Sequence, residues 1–137
     1  MKVFISHSAE DKLLANKIAI GLEDAGLKVF HDQNVLPGEN WAERIGHELK
    51  ESDAMVVVLT PEALRSKYVL RDIEYALGDK SFKGRLIPVA VGSPDQLPED
   101  ELPWILKRLQ MISLPKHGKQ DKGIKQIAQA LLAAATA

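Results

Sequence analysis

The sequence predicts an α/β protein in which strands and helices alternate along the chain. Five short apolar runs are separated by amphipathic helical stretches. Three of these runs are nearly continuous in Val, Ile, Leu and Phe, which is typical of parallel strands buried on both faces. Because crossovers between parallel strands are right-handed, the intervening helices cover both faces of the sheet. The compact five-stranded form is the flavodoxin-like sheet, with strand order 2-1-3-4-5.

The predicted strands are the five apolar runs, whose short lengths favour strands over buried helices. They are KVFIS (2–6), LKVFHD (27–32), AMVVVLT (54–60), RLIPVAV (85–91) and MISL (111–114). The segment 92–110 contains three prolines within GSPDQLPEDELP and is predicted to be a loop. One or two helical turns are expected near its end, between Trp104 and Leu109.

The predicted helices have apolar residues that recur every three or four positions. Gly26 ends the first helix, since glycine readily adopts the left-handed conformation that follows many helices. Asn40 and Ser66 are good caps for the helices that follow them. Thr60-Pro61 predicts a cap followed by proline in the first turn. The residues expected to face the core are Leu14, Ile18 and Leu22; Ile45 and Leu49; Val69, Ile73, Ala76 and Leu77; and, in a C-terminal helix over 122–135, Ile124, Ile127, Ala128, Leu131 and Leu132.

Composition narrows the class of protein. The 137 residues suit a single domain over 1–137 with a substantial core. The formal net charge of -1 gives no support to a nucleic-acid partner. The absence of cysteine excludes disulfides and thiolate chemistry and fits a reducing compartment. No apolar run is long enough to span a membrane, and the first strand begins at residue 2, so we expect a cytoplasmic protein without a signal peptide.

Small polar side chains follow the predicted strands at their carboxyl ends. In a sheet of this order, ligands bind outside those ends where the winding direction reverses, which here is the crevice between the first and third strands. The polar residues that leave the first three strands there are Ser6, His7 and Ser8; His31 and Asp32; and Thr60. The sequence therefore predicts a ligand site at this edge.

Common motifs for this topology are missing. No GxGxxG follows the first strand and no GxxxxGK[ST] occurs, which argues against a dinucleotide-binding dehydrogenase and a P-loop enzyme. A phospho-acceptor domain would need an Asp at the end of the third strand, where Leu59-Thr60 stand instead. The four histidines lack metal-ligand spacing, so no metal site is predicted.

The stretch SKYVLRDIEYAL (66–77) places two carboxylates on one helix. Asp72 lies at the border of the apolar stripe, flanked by Tyr68 and Tyr75. Glu74, two residues on, points about 160° away from Asp72, so only one of them can face a given crevice. Both also fit ordinary solvated positions on a helix.

The stretch LPGENW (36–41) is a Pro-Gly turn that leads into a helix. It fits a plain connection between the second strand and the second helix. It equally fits a protruding recognition loop, since the large Trp41 stands beside polar residues. The residues of this candidate interaction loop are Leu36, Pro37, Gly38, Glu39, Asn40 and Trp41.

Four segments in series resemble a Toll/interleukin-1 receptor (TIR) domain of bacterial type. They are VFISHSAED, GLKVFHDQNVLPGENW, SDAMVVVLTPEALRSKYVLRDIEYAL and RLIPVAV, and the resemblance covers residues 2–115. It implies the flavodoxin-like fold. It also implies that LPGENW corresponds to the family's BB loop, which is used in association between domains.

The resemblance implies two kinds of function. Some TIR domains are adaptors that recruit other TIR domains. Many bacterial, plant and axonal members instead cleave NAD⁺ at the nicotinamide–ribose bond, giving ADP-ribose or a cyclised product, and need no cofactor beyond this substrate. Their catalytic Glu follows an aromatic residue by four positions, on the helix after the third strand. Here the aromatic matches Tyr68 and the catalytic position falls on Asp72.

An Asp at this position leaves three alternatives. Asp is one methylene shorter than Glu, and a misplacement of about 1 Å can cost on the order of a hundredfold in rate. Either Asp72 serves, or Glu74 serves through a changed helix register, or the domain binds without efficient catalysis.

The resemblance also implies the other walls of a substrate pocket. Ser6, His7 and Ser8 would meet the sugar or the pyrophosphate, with His7 in place of the arginine that some members have there. Phe30 and Asp32 would form a second wall. Trp41 or Tyr68 would stack on a ring of the substrate.

The leading hypothesis is therefore an NAD⁺ glycohydrolase or cyclase that is activated when the domain associates with other TIR domains as a homo-oligomer or filament. Antiphage signalling in bacteria is the setting that the resemblance suggests. The alternative is a non-catalytic adaptor, or a mimic that competes in host signalling, acting through contacts between TIR domains.

Overall fold

The computed structural model describes residues 1–30, 41–78, 85–92, 97, 100, 102–109 and 111–136. The strands are Lys2–Ser6 (β1), Lys28–Phe30 (β2), Ala54–Leu59 (β3), Leu86–Val91 (β4) and Ile112–Leu114 (β5). The helices are Lys12–Asp24 (α1), Trp41–Glu51 (α2), Pro61–Leu64 (α3), Lys67–Gly78 (α4) and Asp121–Thr136 (α5), with 3-10 turns at Ala9–Asp11 and Trp104–Arg108. Within these ranges, no helix has the length and apolar character needed to cross a membrane.

The strands form one five-stranded parallel sheet in the order β2-β1-β3-β4-β5. This confirms the predicted fold class and strand order. β3 is central and every one of its residues is buried, as its continuous apolar run predicts. Ser6 at the end of β1 is in register with Val57 of β3, so the carboxyl ends of the two strands meet at one edge of the sheet.

Two hydrophobic clusters cover opposite faces of the sheet. Side chains alternate between faces along a strand, so Val3 and Ile5 of β1 pack with α1 and α5, whereas Phe4 packs with α3 and α4. Ser6 has the same parity as Phe4. The alternation therefore turns the Ser6 side chain toward α4.

The predicted helix ends are confirmed where the structure describes them. Gly26 has a φ of 93°, the left-handed conformation expected after a helix. Thr60 caps α3, its Oγ1 accepting a hydrogen bond of 3.1 Å from the Ala63 amide. Ser66 accepts a longer bond of 3.4 Å from the Val69 amide at the start of α4. Asn40 lies outside the described residues.

Two residues predicted to face the core are exposed instead. Leu77 of α4 is 43% exposed and Leu132 of α5 is 42% exposed. Each stands eight positions after the first residue of its stripe, Val69 or Ile124, and at about 100° per residue it lies about 80° from that residue. On the side of Leu77 and Leu132, the buried residues of each helix reach only about 40° from Val69 or Ile124, so the prediction was wrong at these two positions.

Gly21 lies at a close contact between α1 and α5. A Cβ at this position would overlap Cγ2 of Ile124, a β-branched side chain that cannot easily move aside. We expect Gly21→Ala to lower the free energy of unfolding by about 1–3 kcal/mol, measured by urea denaturation. Gly46→Ala in α2, where an added methyl meets nothing within 4 Å, is the matched control and should raise stability by roughly 0.5–1 kcal/mol. Equal effects of the two substitutions would contradict close packing at Gly21.

Candidate active site

A cavity of about 330 Å³ opens beside the carboxyl end of β1, between α2 and α4. Its apolar walls come mainly from β1 and α2, and its polar groups from the end of β1 and from α4. The lining residues are Phe4, Ile5, Ser6, His7, Ile45, Gly46, Leu49, Tyr68, Arg71, Asp72 and Tyr75. The cavity thus lies at the predicted end of the sheet, but on the α2–α4 face of β1 rather than between β1 and β3.

Ser6 and Asp72 form the polar centre of this cavity. The Ser6 hydroxyl donates a hydrogen bond of 2.7 Å to Asp72 Oδ2. Ser6 is buried and Asp72 is partly buried. The side-chain alternation of β1 and the helical register of α4 bring the two residues together, although they are 66 positions apart in the chain.

The environment of Asp72 changes its acidity. Burial raises the pKa of Asp72 to about 6, and it outweighs the Ser6 hydrogen bond and the charge of His7, which both lower this pKa. At pH 7 about nine-tenths of the carboxyl groups would be ionised. Because water is partly excluded, this negative charge acts strongly on any positive charge that develops beside it.

His7 follows Ser6 and is held by the backbone. Its Nδ1 lies 2.7 Å from the carbonyl oxygen of Ser8. A carbonyl oxygen can only accept a hydrogen bond, so Nδ1 has the proton and Nε2 is the acceptor in the neutral ring. This contact fixes the tautomer and the orientation of the imidazole at the cavity.

The α4 wall forms a stripe at helical spacing. Tyr68, Arg71, Asp72 and Tyr75 stand at i, i+3, i+4 and i+7 and therefore share one face. Tyr68 and Asp72 were predicted as site residues, whereas Arg71, a cation at the cavity, was not, although its position three residues after Tyr68 could have predicted it. Ile45 and Leu49 were predicted to face the core, and both pack in the hydrophobic cluster on this face of the sheet while they also line the apolar wall of the cavity.

Three described residues that were predicted at the ligand site do not line the cavity, namely Ser8, Phe30 and Thr60. Ser8 is buried and its hydroxyl donates to Asp11 Oδ2 at 2.7 Å, so it supports the turn after β1. Phe30 stacks on Phe4 with ring centroids 5.6 Å apart, and the guanidinium of Arg44 lies 5.7 Å from the Phe30 ring centre. Phe30 therefore lies behind Phe4 and supports the wall that Phe4 forms. The prediction that Phe30 itself forms a wall of the pocket does not agree with this position.

Several residues that were predicted to act in the pocket or in association lie outside the part of the chain that the structure describes. These are His31, Asp32, Leu36, Pro37, Gly38, Glu39 and Asn40, together with the side chain of Trp41, whose backbone begins α2. Their predicted roles in the pocket and in association stay predictions.

The two candidate carboxylates occupy different environments. Asp72 lines the cavity, whereas Glu74 is exposed and is not a lining residue. The predicted opposition of these two side chains on α4 is therefore observed. Among the residues that the structure describes, no group of three or more His, Asp or Glu side chains could hold a metal ion.

A family model described as "TIR domain" matches residues 3–129. The match covers nearly the whole chain and every residue that lines the cavity, so the chain belongs to the TIR domain family. The family that the sequence motifs suggested is confirmed.

Two curated relatives are named for the same activity. The chain is 33% identical over 75 residues to a probable 2′ cyclic ADP-D-ribose synthase of Brachypodium distachyon, a match that covers 53% of this chain and 34% of the relative. It is 28% identical over 89 residues to a probable 2′ cyclic ADP-D-ribose synthase of Methanobrevibacter olleyae, covering 64% of this chain and 26% of the relative. The matches therefore span about a third or less of these relatives.

The fold is also similar to a solved receptor. The structure of a metazoan TIR-STING receptor from C. gigas, in complex with 2′,3′-cGAMP, superposes with a TM-score of 0.75 at 26% sequence identity. The similarity covers 94% of this chain and 38% of the receptor chain.

Proposed function

We propose that this TIR domain cleaves NAD⁺ at the nicotinamide–ribose bond, with Asp72 as the catalytic carboxylate. The observation that supports this most is the partly buried Asp72, held by Ser6 in a cavity with apolar walls. The two relatives named as cyclic ADP-ribose synthases support the same reaction class.

Cleavage of the nicotinamide–ribose bond is favoured by a negative charge beside the ribose. When the bond between ribose and nicotinamide breaks, the ring leaves as neutral nicotinamide with the bonding electron pair, and positive charge develops at the anomeric carbon. A fixed carboxylate stabilises this oxocarbenium-like state, because its charge is already oriented and poorly hydrated. Water attack then gives ADP-ribose and a proton, whereas attack by a ribose hydroxyl of the same molecule gives a cyclic ADP-ribose and a proton.

Each wall of the cavity has a part in this proposal. Ser6 occupies Oδ2 of Asp72 and so orients the carboxylate, leaving Oδ1 as the oxygen that approaches the ribose. The apolar side chains of Ile45 and Leu49 exclude water from the leaving nicotinamide. Arg71 is the lining cation that would meet the pyrophosphate.

Association between domains is the second part of the proposal. The candidate interaction loop (36–41) leads directly into α2, and α2 supplies Ile45, Gly46 and Leu49 to the cavity. A partner domain that binds this loop could therefore change the position of α2 and, with it, one wall of the cavity. In this proposal, an event that makes TIR domains associate activates the enzyme, and this activation takes place in immune signalling.

The first experiment is NAD⁺ consumption by the purified chain, dilute in solution and tethered densely on beads. We expect tethering to raise the rate per molecule at least about tenfold, because the high effective concentration drives association. Trp41→Ala in the interaction loop should lose this gain. Equal rates in both forms would contradict the requirement for association. No turnover in either form would contradict the proposed NAD⁺-cleaving activity.

A second candidate function is a non-catalytic adaptor or signalling mimic. It is favoured by Asp72, a carboxylate one methylene shorter than the Glu found in enzymes of the family. An adaptor would keep its association with other TIR domains in Asp72→Ala and lose it in Pro37→Ala. Partner capture by these two variants, measured beside NAD⁺ turnover, separates the two functions.

A further inference from the structure

Asp11 joins the turns that follow β1 and β3. Its Oδ2 accepts hydrogen bonds from the hydroxyls of Ser8, at 2.7 Å, and Thr60, at 2.6 Å. Ser8 and Thr60 are both buried, and Asp11 is partly buried. Bonds to a charged acceptor in such surroundings are stronger than neutral ones, so the link between the turns is firm.

Each of the two turns leads to one half of the candidate active site. Ser8 directly follows Ser6 and His7, which line the cavity, and its carbonyl oxygen accepts the bond from His7 Nδ1. Thr60 caps α3 through the Ala63 amide, and α3 leads through a short turn into α4, where Asp72 stands. The Asp11 carboxylate thus gives a second link between the β1 half of the site and the α4 half, besides the direct hydrogen bond from Ser6 to Asp72.

We infer that Asp11 is a positioning residue for NAD⁺ cleavage, which holds Ser6 and His7 in place against Asp72 through its bonds to Ser8 and Thr60. The inference rests on the proposed function for its kinetic consequence. Asp11 does not line the cavity and has no role in contacting the substrate. Its contribution is geometric, and displacement of catalytic groups by about 1 Å can cost on the order of a hundredfold in rate.

The chain offers a matched control at the amino ends of the same two strands, β1 and β3. Asp53 is also partly buried, and its Oδ2 accepts a hydrogen bond of 2.9 Å from the Lys2 amide. This bond joins the amino ends of β1 and β3, whereas Ser6 and His7 stand at the carboxyl end of β1. Asp53→Ala therefore removes a comparable carboxylate link without touching either half of the site.

The test compares Asp11→Ala, Asp11→Asn, Thr60→Val and Asp53→Ala by thermal unfolding, by kcat and KM for NAD⁺, and by NMR titration of the Asp72 carboxyl. We expect Asp11→Ala and Thr60→Val to lower kcat at least about tenfold while KM changes less than about threefold, because binding walls remain and alignment is lost. Asp11→Asn keeps an acceptor oxygen and should recover most of the rate. Asp53→Ala should lower stability and leave kcat unchanged.

The titration of Asp72 separates this inference from the proposed function. The hydrogen bond from Ser6 and the charge of His7 both lower the pKa of Asp72. If Asp11→Ala lets Ser6 and His7 move away from Asp72, this pKa should rise, whereas it should not change in Asp53→Ala. If no form cleaves NAD⁺ and the shift is present, the proposed function fails and the positioning role stands. An Asp72 titration that is the same in Asp11→Ala and Thr60→Val as in the unsubstituted chain would overturn the inference.

Discussion

Replacing Asp72 by Ala is expected to lower the rate of NAD⁺ cleavage about a hundredfold to a thousandfold, since one preorganised group that stabilises transition-state charge is typically worth that much. Asp72→Glu should raise the rate, because the added methylene carries the carboxylate further toward the ribose. The rate should also fall in acid as Asp72 is protonated, with an apparent pKa near 6. The measurement is kcat and KM for NAD⁺ on tethered protein from pH 5 to pH 8, a range of about one unit or more on each side of that value.

Glu74→Gln is the matched control for this series. Glu74 stands two residues from Asp72 on α4, is exposed and does not line the cavity, so its neutralisation should leave the rate within about twofold. Loss of turnover in Glu74→Gln with full turnover in Asp72→Ala would reverse the assignment of the two carboxylates. Absence of turnover in every form, Asp72→Glu included, would favour the adaptor.

Asp72→Asn is expected to stabilise the folded domain near pH 8 by about 1–2 kcal/mol, with the partial exposure of the side chain taken into account. A carboxyl whose pKa is raised by folding binds its proton more tightly in the folded protein than in the unfolded chain. The free energy of unfolding therefore falls as the pH rises through the interval between the unfolded pKa of about 3.9 and the folded pKa of about 6. Above that interval the ionised carboxylate remains a cost, which Asn removes while its amide oxygen can still accept the Ser6 hydrogen bond.

The measurement is urea denaturation of the Asp72→Asn variant and the unsubstituted chain at pH 8 and again at about pH 4. The gain should be present at the higher pH and largely absent at the lower, where the unsubstituted Asp72 is already protonated in the folded state. Glu74→Gln should change stability by less than about 0.5 kcal/mol at both values. A gain that is the same at both pH values would show that burial of charge at Asp72 is not its cause.

Sequence periodicity predicted the sheet well because the physical signal there is strong. β3 reads as an unbroken apolar run, and the structure buries all of it. The placement of Asp72 opposite Glu74 on α4 followed from helical geometry alone. What periodicity could not supply is which turn residues bond to each other, since such contacts join positions far apart in the chain.

Ser8 illustrates this limit. The sequence shows three consecutive polar residues after β1 and no reason to divide them. The structure divides them, because Ser6 and His7 line the cavity whereas Ser8 turns to Asp11, 3 positions along the chain. Leu77 and Leu132 show a second limit, since an apolar residue at the border of a helix stripe is buried only where a neighbouring element reaches it.

The walls of the cavity come from β1, α2 and α4, which also contribute to one of the two hydrophobic clusters. A recess built into the core in this way is a practical target for small-molecule screening on the isolated domain. Fragments with a flat, neutral ring and one hydrogen-bond donor would suit its apolar walls and the carboxylate of Asp72. A fragment found there would give a chemical means of blocking the site without any substitution in the chain.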